Sequence, residues 1–173
     1  MLRSAATRAL ALLITLSACA GEPDPLDEGE LQRLARAQGD ARGDGFAGLY
    51  LLSSDPGDCD CPEIDGVDLC RTLSLGEGVI PVALSQHDGL LVIDLGSIVA
   101  YIGGVDQDGA FTVAAILNAG LVAATGELLS RIDGELSDAG FDGVLQNRLV
   151  GAFLTEDVDC RVSASIRAVS LAP

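Results

Sequence analysis

Apolar and polar positions alternate through the last part of the chain. Val158, Cys160, Val162, Ala164, Ile166 and Ala168 fall on one face, and Asp159, Arg161, Ser163, Ser165 and Arg167 on the other. Such a run predicts a half-buried antiparallel strand with one face in a core. The same period recurs upstream, interrupted by Asp-Gly pairs: Asp44-Gly45, Asp65-Gly66, Asp88-Gly89, Asp108-Gly109, Asp133-Gly134 and Asp142-Gly143. Asp-Gly tolerates positive φ at both central positions of a tight turn, so each pair marks a candidate hairpin. Together the signals predict strands near 46–53, 70–75, 79–86, 90–95, 97–103, 110–117, 121–132, 144–153 and 158–171. The stretch 114–132 is alanine-rich and also reads as helix, although Gly120 and Gly126 weaken that reading.

Eight or nine meandering strands expose two edges unless the sheet closes or stacks. The predicted fold is therefore all-β, an antiparallel meander closed as a small barrel or a two-sheet sandwich over residues 46–173. Residues 19–45 read as an acidic tether. Within it Asp27 is an N-cap with Glu30 three residues on, Leu31, Leu34 and Ala35 share a helical face, and Gly39 is placed to end the helix. Such a segment either holds the domain off a surface or packs on it through that apolar face.

Residues 1–18 have a different character. Arg3 and Arg8 precede the apolar run Ala9 to Thr15, which is followed by small residues. A basic start, a short apolar segment and a small-residue cleavage site make a secretory signal peptide. The run is too short for the roughly 20 apolar residues of a transmembrane helix. Leu16-Ser17-Ala18-Cys19 resembles the lipobox of bacterial lipoproteins. That resemblance implies cleavage before Cys19 and a diacylglycerol on its sulfur. Ala20 in the next position, by resemblance to Gram-negative lipoproteins, implies sorting to the outer membrane, on a face the sequence leaves open. Ala18-Cys19-Ala20 is also an Ala-x-Ala site, and cutting there would release a soluble secreted product starting at Gly21.

Composition narrows the function classes. Of 173 residues, 26 are acidic and 10 are basic, all arginine. With Arg3 and Arg8 removed, eight arginines face 26 acids, a balance of −18. Nucleic-acid binding rests on neutralising phosphates, so this balance argues against it, and against charge-driven adhesion to anionic headgroups. At 49% hydrophobic the chain has enough apolar residues for a core despite its charge. Four Phe, two Tyr and no Trp leave that core to aliphatic residues. The same scarcity argues against sugar- or base-stacking platforms, and against a membrane barrel with aromatic girdles.

Four cysteines remain beside Cys19: Cys59, Cys61, Cys70 and Cys160. An even number in an exported chain reads as two disulfides. A Cys59–Cys61 ring would be small and strained, so one of these two is expected to bond Cys70 and the other Cys160. A thiolate metal site is disfavoured because exported cysteines oxidise. Asp55, Asp58, Asp60, Glu63, Asp65 and Asp68 crowd the same segment, but they lack the spacing of an EF-hand loop and read as solvated acids. Asp106-Gln107-Asp108-Gly109 reads as a β-turn rather than a calcium loop. His87, the only histidine, lies beside Asp88 and near Ser85, yet adjacent residues on a strand point to opposite faces and no Gly-x-Ser-x-Gly elbow is present. Arg42-Gly43-Asp44 reads as linker. No catalytic residue, metal site or cofactor is predicted.

The meander is similar in outline to lipocalin-like barrels, with Gly48-Leu49-Tyr50 at the start of the first strand. The family's glycine–tryptophan signature is missing, so the likeness covers architecture alone. The expected function is that of a lipid-anchored, non-enzymatic envelope protein with a structural or interaction role. The alternative is a carrier of small apolar ligands, for which small inner residues such as Ala114, Ala124 and Ala164 would leave room.

Overall fold

A computed structural model describes residues 24–76, 78–96, 99–118, 124–153 and 156–171. The order is α1 (Glu28–Leu34), β1 (Gly48–Cys59), β2 (Glu63–Ile64), β3 (Val67–Asp68), α2 (Leu69–Leu73), β4 (Val79–His87), β5 (Leu90–Asp94), β6 (Ala100–Val105), β7 (Ala110–Asn118), β8 (Ala124–Ser137), β9 (Gly140–Phe153) and β10 (Glu156–Ser170). Eight strands close into an antiparallel barrel in the order β1-β10-β9-β8-β7-β6-β5-β4. Of the two predicted architectures the chain adopts the barrel, and closure leaves no free sheet edge along the paired segments.

The inner face follows from the alternation. Val158, Cys160, Val162, Ala164, Ile166 and Ala168 of β10 are all buried. They join Tyr50, Leu52, Leu91, Ile93, Tyr101, Val113, Ile132 and Leu145 from the other strands. The wall is thus apolar inside, while Arg131, Asp133 and Glu135 of β8 alternate with buried Ile132 and Leu136. On β8 this polarity is the inverse of that in a transmembrane barrel, whose outer band faces lipid. Among the described residues no helix is long and apolar enough to cross a membrane.

Two Asp-Gly pairs depart from the turn prediction. Asp133-Gly134 and Asp142-Gly143 lie inside β8 and β9, where Gly134 pairs with Gly143 across the strands. A Cβ on Gly134 would stand 2.7 Å from Phe111 Cζ. Glycine is needed here to admit an aromatic ring: Phe111 meets Phe141 edge-on at 5.5 Å. The β8–β9 turn falls instead at residues 138 and 139, between paired Ser137 and Gly140. The strand predicted at 70–75 is also replaced. Leu69–Leu73 is the helix α2, with Asp68 accepting a hydrogen bond from Arg71 N at 3.0 Å as its N-cap. The ambiguous stretch 114–132 is strand up to Asn118 and from Ala124 onward. Residues 119–123 lie outside the described residues.

Helix α1 starts as predicted, with Asp27 accepting from Gly29 N and Glu30 N. It ends at Leu34 with Ala35 as its C-cap, rather than near Gly39, which lies at the barrel mouth. Leu26, Leu31 and Leu34 pack on Ala114 and Leu129 of the outer wall. Ala114 therefore faces outward beneath α1, a correction to its expected inner position, while Ala164 is in the inner core. Of the two roles open to the 19–45 segment, packing on the barrel is the one seen from residue 24 onward.

Candidate functional site

The barrel is asymmetric, and its asymmetry builds a polar region at one mouth. β8, β9 and β10 run for 14, 14 and 15 residues, whereas β5 and β6 have 5 and 6. The long strands project beyond the short ones at one mouth. β1 pairs with β4 only as far as Ser53 and continues on β10 through a register shift between Pro56 and Cys59. Pro56 is tolerated there because that part of β1 has a neighbour on one side only.

Residues 60–76 fill the notch as a plug. Asp65 and Gly66, with φ of 49° and 79°, close the β2–β3 hairpin as its Asp-Gly signal predicted. Ile64 and Leu69 are buried against Leu149, Val158 and Cys160. Cys59 bonds Cys70 and Cys61 bonds Cys160, with Cα–Cα distances of 5.8 and 4.9 Å. Both bonds fit the predicted division of Cys59 and Cys61 between the two partners. Beneath the plug a polar chain crosses the barrel. Tyr101 Oη and Ser130 Oγ are 2.8 Å apart, Ser130 Oγ bonds Asn147 Oδ1, and Asn147 Nδ2 donates to Leu73 O of α2. Burial pushes the Tyr101 phenol up to about 12, with the Ser130 hydrogen bond opposing the shift. Tyr101 is therefore a neutral hydroxyl at physiological pH, a hydrogen-bonding group rather than a base.

The acidic residues around the plug are divided among local tasks. Asp68 caps α2, and Asp60 accepts from Arg161 N. Asp60, Cys61 and Cys160 are the one group of potential metal-ligand atoms found close together among the described residues. The two sulfurs are bonded to each other, so they supply no thiolate. Asp55, Asp58, Glu63 and Asp65 are exposed.

The opposite mouth is crossed by residues 39–47. Gly39 N donates to Gly89 O at 2.9 Å, Ala41 N to Val105 O at 3.2 Å, and Asp88 N to Gly43 O at 2.8 Å. Phe46 N donates to the buried Gln86 side chain, and Tyr50 Oη to Phe46 O. Two predicted turns serve this strap. Asp88 Oδ1 accepts from Gly43 N, so Arg42-Gly43-Asp44 is pinned to the β4–β5 hairpin. Asp106 Oδ1 accepts from Asp40 N, and Gln107 N donates back to Asp40 Oδ1. His87 is exposed on the last position of β4, paired with Leu90 across the turn. Sequence reasoning missed both closures. The recurrence of glycine at 39, 89 and 104 is the signal that could have found the strap.

Clefts lie on the outer wall. One of about 350 Å³ lies between the end of α1 and Asp133-Gly134, and another of about 410 Å³ lies between Pro25-Leu26 and Arg161–Ser163. Asp24 closes the seam beside the second, at 3.2 Å from Arg148 Nη1 and 2.5 Å from Arg161 Nη2. Cys19 lies outside the described residues. No known family, curated protein or solved structure matches the chain.

Proposed function

We propose that the chain is a lipid-anchored protein of the cell envelope, held at the outer membrane through Cys19, whose barrel is a structural or interaction module rather than an enzyme. The observation that carries the role is a barrel occupied by its own side chains and crossed by its own chain at both mouths. Tyr101, Leu52, Leu91, Ile93, Ile132 and Leu145 are among its fully buried residues. A carrier of apolar ligands needs a cavity of roughly 300 Å³ or more with a way in, so the packing of the described inner residues into one core favours the module. The anchoring part rests on the leader and on Leu16-Ser17-Ala18-Cys19, and the disulfides suit an oxidising compartment. The acidic surface favours neither nucleic acid nor an anionic lipid surface as a charge partner.

The test is intact mass and detergent partitioning of the protein expressed with its own leader, beside Cys19→Ser. An acyl mass increment and detergent-phase partitioning, both lost in the variant, are the expected result. A soluble product starting at Gly21 would overturn the anchor and leave a secreted β-barrel.

A further inference from the structure

The outer wall has two unlike sides. α1 covers the side built by β6, β7 and β8. β7 stands opposite β1 in the ring, and the side formed by β4, β1 and β10 has no covering element among the described residues. There Leu49, Leu51, Val79, Val169 and Leu171 are exposed, four of the five at half or more of their surface. They are contiguous. Leu51 lies directly between Pro81 on β4 and Val169 on β10, and Leu171 N donates to Leu49 O. The outward positions from Val79 to Ser85 and from Leu49 to Ser53 carry no charge, in a chain with 26 acidic residues. The nearest charge on β10, Arg167, is paired with Asp142. Scattered exposed aliphatics need no explanation, but a joined, charge-free patch marks a contact surface.

The position of the N-terminal segment selects the occupant. Asp24 is clamped by Arg148 and Arg161 on the outer face of β9 and β10. Only residues 20–23 separate it from Cys19, and five residue steps span at most about 18 Å. An acylated Cys19 therefore keeps Asp24 within about 18 Å of the bilayer, much closer than a free 19–45 tether would. It brings the β9–β10 side to the surface. From Arg161, β10 runs eight residues, about 27 Å, to Val169 in the patch. We propose that the β4–β1–β10 face lies on the lipid surface, with the anchor at one end of β10 and the aliphatic patch at the other. This rests on the lipoprotein reading above. The contact is apolar, so it suits a zwitterionic surface and does not need basic residues.

The absence of tryptophan makes the test direct, because one introduced Trp is a single reporter. Leu51→Trp and Val169→Trp probe the patch, and Gln32→Trp on the exposed side of α1 is the control. Each acylated protein, its mass confirmed, is placed in phosphatidylcholine vesicles with and without brominated chains. The expected result is a blue shift and loss of most emission at 51 and 169, with position 32 unchanged. Equal, unquenched emission at all three sites in acylated protein would overturn the proposed face and leave the anchor standing. Absence of the acyl mass would overturn the anchor and this inference with it. Blue-shifted emission from the Leu51→Trp variant without vesicles, in a protein that sediments as a dimer, would assign the patch to a second copy instead.

Discussion

At one mouth of the barrel, residues 39–47 lie across the strand ends and are held by main-chain hydrogen bonds to Gly89, Val105 and Asp88. At the other, residues 60–76 are held by two disulfides, a small apolar cluster and the Asn147–Leu73 hydrogen bond. The first closure works because side chains are missing. A Cβ on Gly89 would stand 1.9 Å from Gly39 O, and one on Gly39 would stand 2.0 Å from Val105 O. The second works through what the side chains add. Short β5 and β6 leave a notch that the chain must bridge over a long excursion, and a segment with a hairpin of two two-residue strands and a five-residue helix has little structure of its own. Close backbone packing suffices where strand ends meet evenly; covalent ties take over where they do not.

The largest expected effect separates the two ties of the plug. Cys61–Cys160 spans 99 residues and Cys59–Cys70 spans 11. In the chain-entropy description, closing loops of these sizes restrains the unfolded chain by up to about 4.7 and about 3 kcal/mol respectively. Paired replacement of Cys61 and Cys160 by alanine should therefore lower stability more than replacement of Cys59 and Cys70. Urea unfolding of the two double variants checks this. Equal losses would mean that the ties act through local packing of the plug rather than through loop length.

The strap is broken by adding a single methyl group. Gly89→Ala must push Gly39 and the strap away from the β4–β5 hairpin, with an expected cost of about 1–3 kcal/mol, in the range of overpacked sites. Because α1 is fastened separately through Leu31, hydrogen exchange should rise at Gly39, Ala41 and Phe46 while α1 and the plug stay protected. An unchanged exchange pattern would show that the mouth accommodates the methyl group and that the glycines are not the reason for the close approach.

These two closures also show what the sequence made legible. β10 was readable because its alternation is uninterrupted and one face is fully buried. The cap at Asp27 was readable because capping is local chemistry, and the division of Cys59 and Cys61 between Cys70 and Cys160 was readable because ring strain disfavours a Cys59–Cys61 bond, but which takes which was not. Contacts between distant segments were not. Gly39 reads as a helix stop until Val105 and Gly89 are placed against it. Asp133-Gly134 reads as a turn until Phe111 is placed over Gly134, since turn chemistry and aromatic clearance both call for glycine. α2 was not readable because its five residues are too few to show a helical period. The patch on β4, β1 and β10 was present as alternation, but its lack of charge acquires meaning only when the three strands are adjacent.

The smallest effect concerns the wall that carries the plug. The hydrogen bond from Arg148 holds the Asp159 carboxyl below its ordinary range, helped by the charges of Arg148 and Arg161 and opposed by partial burial. A carboxylate with a depressed folded pKa contributes stability above its unfolded value, and that contribution is lost as pH falls through the folded value. The pair is exposed on the Asp159 side, so the contribution at neutral pH should be under about 1 kcal/mol. Asp159→Asn should lower the melting temperature slightly at pH 7. The gap between variant and native protein should begin to close as the pH drops below about 4 and vanish further down, where the native aspartate is itself protonated. A gap that persists undiminished at the lowest pH would mean that Asp159 acts through the shape of its hydrogen bonds to Arg148, not through its charge. The arginine would then be held in place for Asp24, and the seam between the N-terminal segment and β10 would be fastened by geometry, as the strap is at the far mouth.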